Sequence, residues 1–124
     1  MSEAIKHECG IALVRLLKPL EYYQQKYGTW QYGLQRLFLL MEKQHNRGQD
    51  GAGAVGLKLD QPSGKQFIYR LRSNSDNPIQ DVINGINGQL IKAQEQDAEN
   101  FANAAWAKEN LPFAGEVYMG QLRY

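Results

Sequence analysis

Cysteine is nearly missing from this 124-residue chain: Cys9 is the only one. A single thiol excludes an intrachain disulfide and a multi-cysteine metal site, and it fits a reducing compartment. An excess of one charge sign is missing too. Fourteen Lys and Arg stand against thirteen Asp and Glu, for a net charge of +1. That balance offers no electrostatic ground for nucleic acid or an anionic membrane as partner. Long apolar runs are also lacking. The N-terminal MSEAIKHE is charged, and the following CGIALVRLLKPL is broken by Arg15 and Lys18. Neither a signal peptide nor a membrane span fits that pattern, so a cytoplasmic protein is expected. The sequence holds no internal repeat, low-complexity tract or domain linker. What remains is 43% hydrophobic and 22% charged, the composition of one globular domain. A chain this long hides roughly two-thirds of the surface its unfolded form exposes.

Periodicity gives a coarse map. Cys9 to Leu17 is nearly continuously apolar and short, which predicts a strand buried on both faces, closed by Pro19. Residues 20–28 fit a short helix or an aromatic loop equally well. From Trp30 to about Gln44, Leu34, Leu37, Phe38 and Met41 form one helical stripe. Thr29 is a candidate N-cap and Gly48 a candidate stop. Residues 54–59 read as a strand, residues 60–64 as a Pro/Gly turn, and residues 66–71 as a second strand, together a hairpin. Residues 73–77 form a polar loop. Pro78 opens a helical region that runs to about Lys108 as one or two exposed helices, with Gly85 and Gly88 as weak points. Residues 115–124 predict a final strand.

Gly51, Gly53 and Gly56 spell G-x-G-x-x-G. A dinucleotide loop follows a strand and opens a helix, so that helix amides face the phosphates. Here a helix comes before and a strand after, and Asp76, near the spacing of a ribose-binding acid, falls in a polar loop. No Walker-type sequence is present. The glycines therefore suit a tight helix-to-strand connection, with Arg47 and Asp50 able to fix it through a charge-assisted pair.

Cys9 has two readings. One is an inert buried thiol, the usual fate of a lone cysteine. The other starts from its place near the N-terminus. Loss of residues 1–8 would leave a free α-amine beside the thiol, with a pKa of about 7.7–8.0 in model peptides, suited to general-base work. Gly10 would leave room for a substrate to reach the sulfur.

Three stretches carry a family resemblance. Glu8-Cys9-Gly10-Ile11 is similar to the nucleophile segment of class II glutamine amidotransferases, which are N-terminal-nucleophile hydrolases, in members made with a short propeptide ending in Glu. Gln44-His45-Asn46-Arg47-Gly48-Gln49-Asp50-Gly51-Ala52-Gly53 resembles their QHRGQ-D/E-x-A-G motif with Asn46 inserted. Gly120-Gln121-Leu122-Arg123-Tyr124 resembles their G-H-x-R-Y strand. Gln49 matches the amidophosphoribosyltransferase branch. The sugar-phosphate aminating relatives carry Tyr there, and the asparagine synthetases carry Pro.

The resemblance implies an α+β fold, the first part of a four-layer α-β-β-α sandwich with antiparallel sheets. Residues 1–8 would be a propeptide, and residues 9–124 the N-terminal part of the amidotransferase domain, truncated. Cys9 would attack the glutamine amide, form a γ-glutamyl thioester and release ammonia for phosphoribosyl pyrophosphate in purine biosynthesis. Arg123 would grip the α-carboxylate of glutamine, with Arg47 and Tyr124 at the same pocket. Gly48, Gln49, Asp50, Gly51 and Gly53 would form a structural loop beside the nucleophile. No cofactor or metal is expected in this segment. Magnesium for phosphoribosyl transfer, a possible iron–sulfur cluster and the phosphoribosyltransferase domain would belong elsewhere. A homo-oligomer is expected. Gln121 departs from the family's His. The family's oxyanion-hole Asn-Gly and the Asp for the α-amino group would lie past Tyr124; Asn87-Gly88 is misplaced for the former. Loss of one oxyanion donor costs about 10²–10³ in rate, so the chain alone is expected to be inactive. Two rival readings stay open: a class II enzyme with another acceptor, and a non-catalytic remnant.

Overall fold

The computed structural model describes residues 9–44 and 50–123. These form an α+β fold of one antiparallel sheet and five helices. The strands are β1 (Gly10–Arg15), β2 (Gly51–Leu57), β3 (Ile68–Ser73) and β4 (Val117–Arg123). The helices are α1 (Leu20–Tyr27), α2 (Tyr32–Glu42), α3 (Pro78–Gln96), α4 (Ala98–Phe101) and α5 (Ala104–Asn110). Strand order is β1-β4-β2-β3, so the last strand inserts between the first two.

α2 and α3 lie on the sheet, while α1 packs on α5, and α4 packs on α3 and α5. The stripe Leu34, Leu37, Phe38 and Met41 is buried as its spacing requires, and α2 packs on β1 and β4. Val82, Ile83, Ile86 and Leu90 bury the matching stripe of α3 against β2 and β3. The expected exposed helices are thus a core helix, α3, followed by two short ones. Asp97 and Asn103 cap those two, accepting from the Asn100 and Trp106 amides. Pro78 does open α3, and the helix runs through Gly85 and Gly88 unbroken. Residues 20–27 resolve as helix, and Trp30 anchors that end of the layer by donating from Nε1 to the Phe101 carbonyl at 2.7 Å. Thr29 does not cap α2, whose N-cap is Gln31; its hydroxyl accepts from the Gln31 amide instead. Gly48, the candidate stop, lies outside the described residues.

Among the described residues, the helices that lie on the sheet, α2 and α3, cover the face of Ala12, Ala54 and Leu122. The expectation that β1 is buried on both faces is therefore corrected. Ala12 is buried, whereas Ile11 is 74% and Leu13 60% exposed. A near-continuous apolar run proves to be an alternating one-faced strand whose outward residues happen to be apolar.

The register sorts the open face into cross-sheet rows. Ile11, Gln121, Gly53 and Arg72 form one row; Leu13, Met119, Val55 and Arg70 the next; Arg15, Val117, Leu57 and Ile68 the last. Arg123 and Gly51 pair ahead of these rows, at the end where β1 begins.

Two glycines are fixed by close approach. A Cβ on Gly10 would stand 2.4 Å from Oε1 of Gln44, and one on Gly115 would stand 2.2 Å from the Leu57 carbonyl oxygen. Gly10 is buried on the helix side. Its bareness seats the Gln44 amide, which donates to the Ile11 carbonyl at 3.2 Å, rather than opening a path to the thiol.

Candidate functional site

Alternation decides what shares a face. Cys9 precedes Gly10 and so takes the parity of Ile11, on the open side; its side chain is exposed. The reading of Cys9 as a buried thiol is therefore corrected. The paired register ends at Gly10 and Leu122; carried one residue further, it would set Cys9 beside Arg123. Neighbouring strands lie about 4.8 Å apart, so these two positions, far apart in sequence, stand within one small molecule's reach.

Gly51 is the other neighbour of Arg123. Their backbones pair, the Asp50 amide donates to the Arg123 carbonyl at 3.0 Å, and a Cβ on Gly51 would come 3.5 Å from the Arg123 Nε. Gly51 and Gly53 are not loop residues: β2 starts at Gly51. The glycine series thus forms a strand, with its peptide groups committed to β3 and β4. Those amides are not free to cradle a pyrophosphate, for the same reason that the helix-to-strand order argued against it. In place of side chains, Gly51 and Gly53 leave a trough.

That trough is a cavity of about 500 Å³, lined by Gly51, Gly53, Arg72, Ser73, Asn74 and Arg123 together with Ala52 and Gln121. Two of its residues are cationic and none is acidic. Among the described residues, neither guanidinium has a carboxylate within ion-pair distance. Ser73 is held from behind, its hydroxyl 2.6 Å from the Asp81 carboxylate. Gln121, standing where the resemblance leads one to expect His, is exposed beside the cavity.

Of the residues singled out in the sequence, the structure thus brings Cys9, Arg123, Gly51, Gly53 and Asp50 to one end of the sheet. Arg47, Gly48, Gln49 and Tyr124 lie outside the described residues, as does the proposed propeptide. Sequence reasoning missed Arg72, Ser73 and Asn74. The signal was present in the alternation Arg70-Leu71-Arg72, which puts both arginines on the open face.

The far end of the sheet is a structural knot. Lys58 is 3% exposed, donates to the Lys108 carbonyl at 2.5 Å and lies 4.8 Å over the Tyr69 ring. Burial, aided by the charge of Lys108, pulls its pKa from 10.5 down to about 8. Glu116 accepts from Lys108 at 2.7 Å and from the Leu59 amide at 2.9 Å. Tyr118 donates to the Phe113 carbonyl at 2.8 Å, and burial raises its pKa.

Among the described residues, no group of three or more His, Cys, Asp and Glu side chains is placed to hold a metal ion. No described helix is long and apolar enough to cross a membrane. Comparisons with protein-family profiles, with curated proteins and with solved structures find no match for this chain.

Proposed function

We infer that this chain carries the nucleophile and the carboxylate grip of a class II glutamine amidotransferase, most like the amidophosphoribosyltransferases. One arrangement carries the reading: Cys9 is exposed, and extending the β1–β4 register by one residue sets it beside Arg123, which lines a cavity of small-molecule size. A guanidinium fork matches a carboxylate through two parallel hydrogen bonds. A glutamine held there by its α-carboxylate can turn its amide toward the thiol.

The chemistry follows from the neighbours of the sulfur. Scission of the Glu8–Cys9 peptide bond frees the Cys9 α-amine, whereas the uncut amide nitrogen cannot act as base. The amine takes the thiol proton, and the sulfur bonds to the side-chain carbonyl carbon of glutamine. The carbon–nitrogen bond then breaks, and the amine returns the proton to the departing nitrogen, which leaves as ammonia. Water opens the thioester to give glutamate. The ammonia goes to an acceptor; the Gln49 match assigns this to phosphoribosyl pyrophosphate. The one-faced sheet suits this reading as well, since a four-layer sandwich stacks a second sheet on such a face.

The test uses the chain with residues 1–8 removed and a diazo-ketone analogue of glutamine. Alkylation needs the nucleophile and the carboxylate grip but no turnover. Mass spectrometry should find one adduct, on Cys9, and Arg123→Gln should slow its formation about a hundredfold or more, the worth of a charge-assisted fork. An adduct elsewhere, or labelling indifferent to Arg123→Gln, would show the reading to be wrong.

A further inference from the structure

The cavity contains a second cation that the glutaminase reading leaves unused. Arg72 on β3 faces the same void as Arg123 on β4, two strands away, with β2 between them. At that point β2 has no side chains on the open face. Gly53 pairs with Arg72 and Gly51 with Arg123. A Cβ on Gly53 would meet the Arg72 stem at 3.7 Å, so the stem lies against bare backbone. A larger residue at 51 or 53 would stand as a wall between the two guanidinium groups. Two strand spacings are about 9.6 Å, and one register step along the strands adds about 7 Å. Each arginine side chain spans more than half that diagonal, so both forks reach a point above Gly51 and Gly53.

Charge favours an anion between the two guanidinium groups. Two like-charged side chains lining one cavity repel unless an anion sits between them. Arg72 has no carboxylate partner among the described residues, and no acidic residue lines the cavity. Arg70 lies on the same strand and face but outside the cavity, in the apolar row with Leu13 and Met119.

We propose that Arg72 and Arg123 form a two-guanidinium clamp for the carboxylate of an amino-acid ligand, making Arg72 a second binding and specificity-determining residue of this site. The identity of the ligand as glutamine rests on the reading above; the clamp itself rests on the two arginines and the glycine floor. Arg123 lies on β4, the neighbour of the strand that follows Cys9, and Arg72 lies two strands further off on β3. A shared carboxylate therefore leaves the ligand's other end directed at the thiol, and ligands without a carboxylate lose both contacts.

The test is calorimetric titration of the 124-residue chain with L-glutamine, L-glutaminamide and inorganic phosphate. The same titrations are run on Arg72→Gln, Arg123→Gln and, as a control for charge on the same strand, Arg70→Gln. The clamp predicts that Arg72→Gln weakens L-glutamine about tenfold, the worth of one charge-assisted contact, while Arg70→Gln leaves it unchanged. It further predicts weak L-glutaminamide binding that is indifferent to Arg72→Gln. If L-glutamine binding depends on Arg123 and not on Arg72, the clamp is wrong while the glutaminase reading stands. If phosphate binds through both arginines and L-glutamine does not bind, the two-cation site stands and the glutamine assignment fails. If none of the three probes binds, or if Arg70→Gln weakens binding as much as Arg72→Gln, the clamp is overturned.

Discussion

Lys58 shows how one buried charge ties stability to pH. Its ammonium is sealed between Tyr69 and the Lys108 carbonyl, near the Lys108–Glu116 pair. Burial lowers its pKa to about 8 in the folded chain, against 10.5 for the free side chain. Between those values the folded state binds fewer protons than the unfolded one, so stability rises with pH across that window and is least favoured by Lys58 below it. The difference amounts to at most about 3 kcal/mol. Denaturant unfolding at about pH 7.5 and about pH 10 should show the native chain gaining on Lys58→Met. A constant gap between the two proteins would contradict the burial argument. Cys9 makes the opposite point: it is exposed, and nothing in the packing requires a thiol there. Cys9→Ser should therefore unfold within about 0.5 kcal/mol of the native chain, as surface changes do. A larger loss would make Cys9 a structural residue.

Elements were legible where periodicity was strong. The α2 stripe fixed its helix to within a turn, because Leu34, Leu37 and Met41 all point into the sheet. Pro78 marked the start of α3 for a local reason, its preset backbone. The failures have physical causes too. β1 reads as doubly buried because apolar content does not say which face is covered; that depends on helices folded from elsewhere in the chain. β2 was expected to begin at Ala54, since Gly51 and Gly53 look like loop formers. Pairing with β3 and β4 on both sides overrides that propensity and extends the strand through them. At the site, Cys9 and Arg123 could be named from motifs, but their adjacency needed the insertion of β4 between β1 and β2, which no local pattern encodes. The join before β4 is the element-scale test. A Cβ on Gly115 meets backbone at 2.2 Å, whereas one on Gly10 meets the movable end of Gln44. Gly115→Ala should cost about 2–3 kcal/mol and Gly10→Ala about 1 kcal/mol in unfolding free energy. Equal effects would mean that the two contacts are not different in kind.

At the scale of the whole molecule, the open sheet face dominates. Ile11, Leu13, Met119 and Ile68 are exposed on it, and Ile11 shares a row with Arg72. Apolar patches of this sort seek cover. The isolated chain should therefore associate with rising concentration in size-exclusion chromatography with light scattering. Leu13 and Met119 are cross-strand neighbours, so Leu13→Lys with Met119→Glu replaces an apolar pair by an opposite-charge pair without breaking the sheet. The double variant should run as a monomer; a native chain that is monomeric throughout would refute the association. The proposed function rests on one end of that face, where Arg123 lines the cavity and Cys9 precedes the neighbouring strand. The most direct test measures the rate at which iodoacetamide alkylates Cys9, with and without L-glutamine, in the native chain and in Arg123→Gln. L-glutamine should slow alkylation of the native chain and have no effect on Arg123→Gln. Equal protection in both, or none in either, would contradict it.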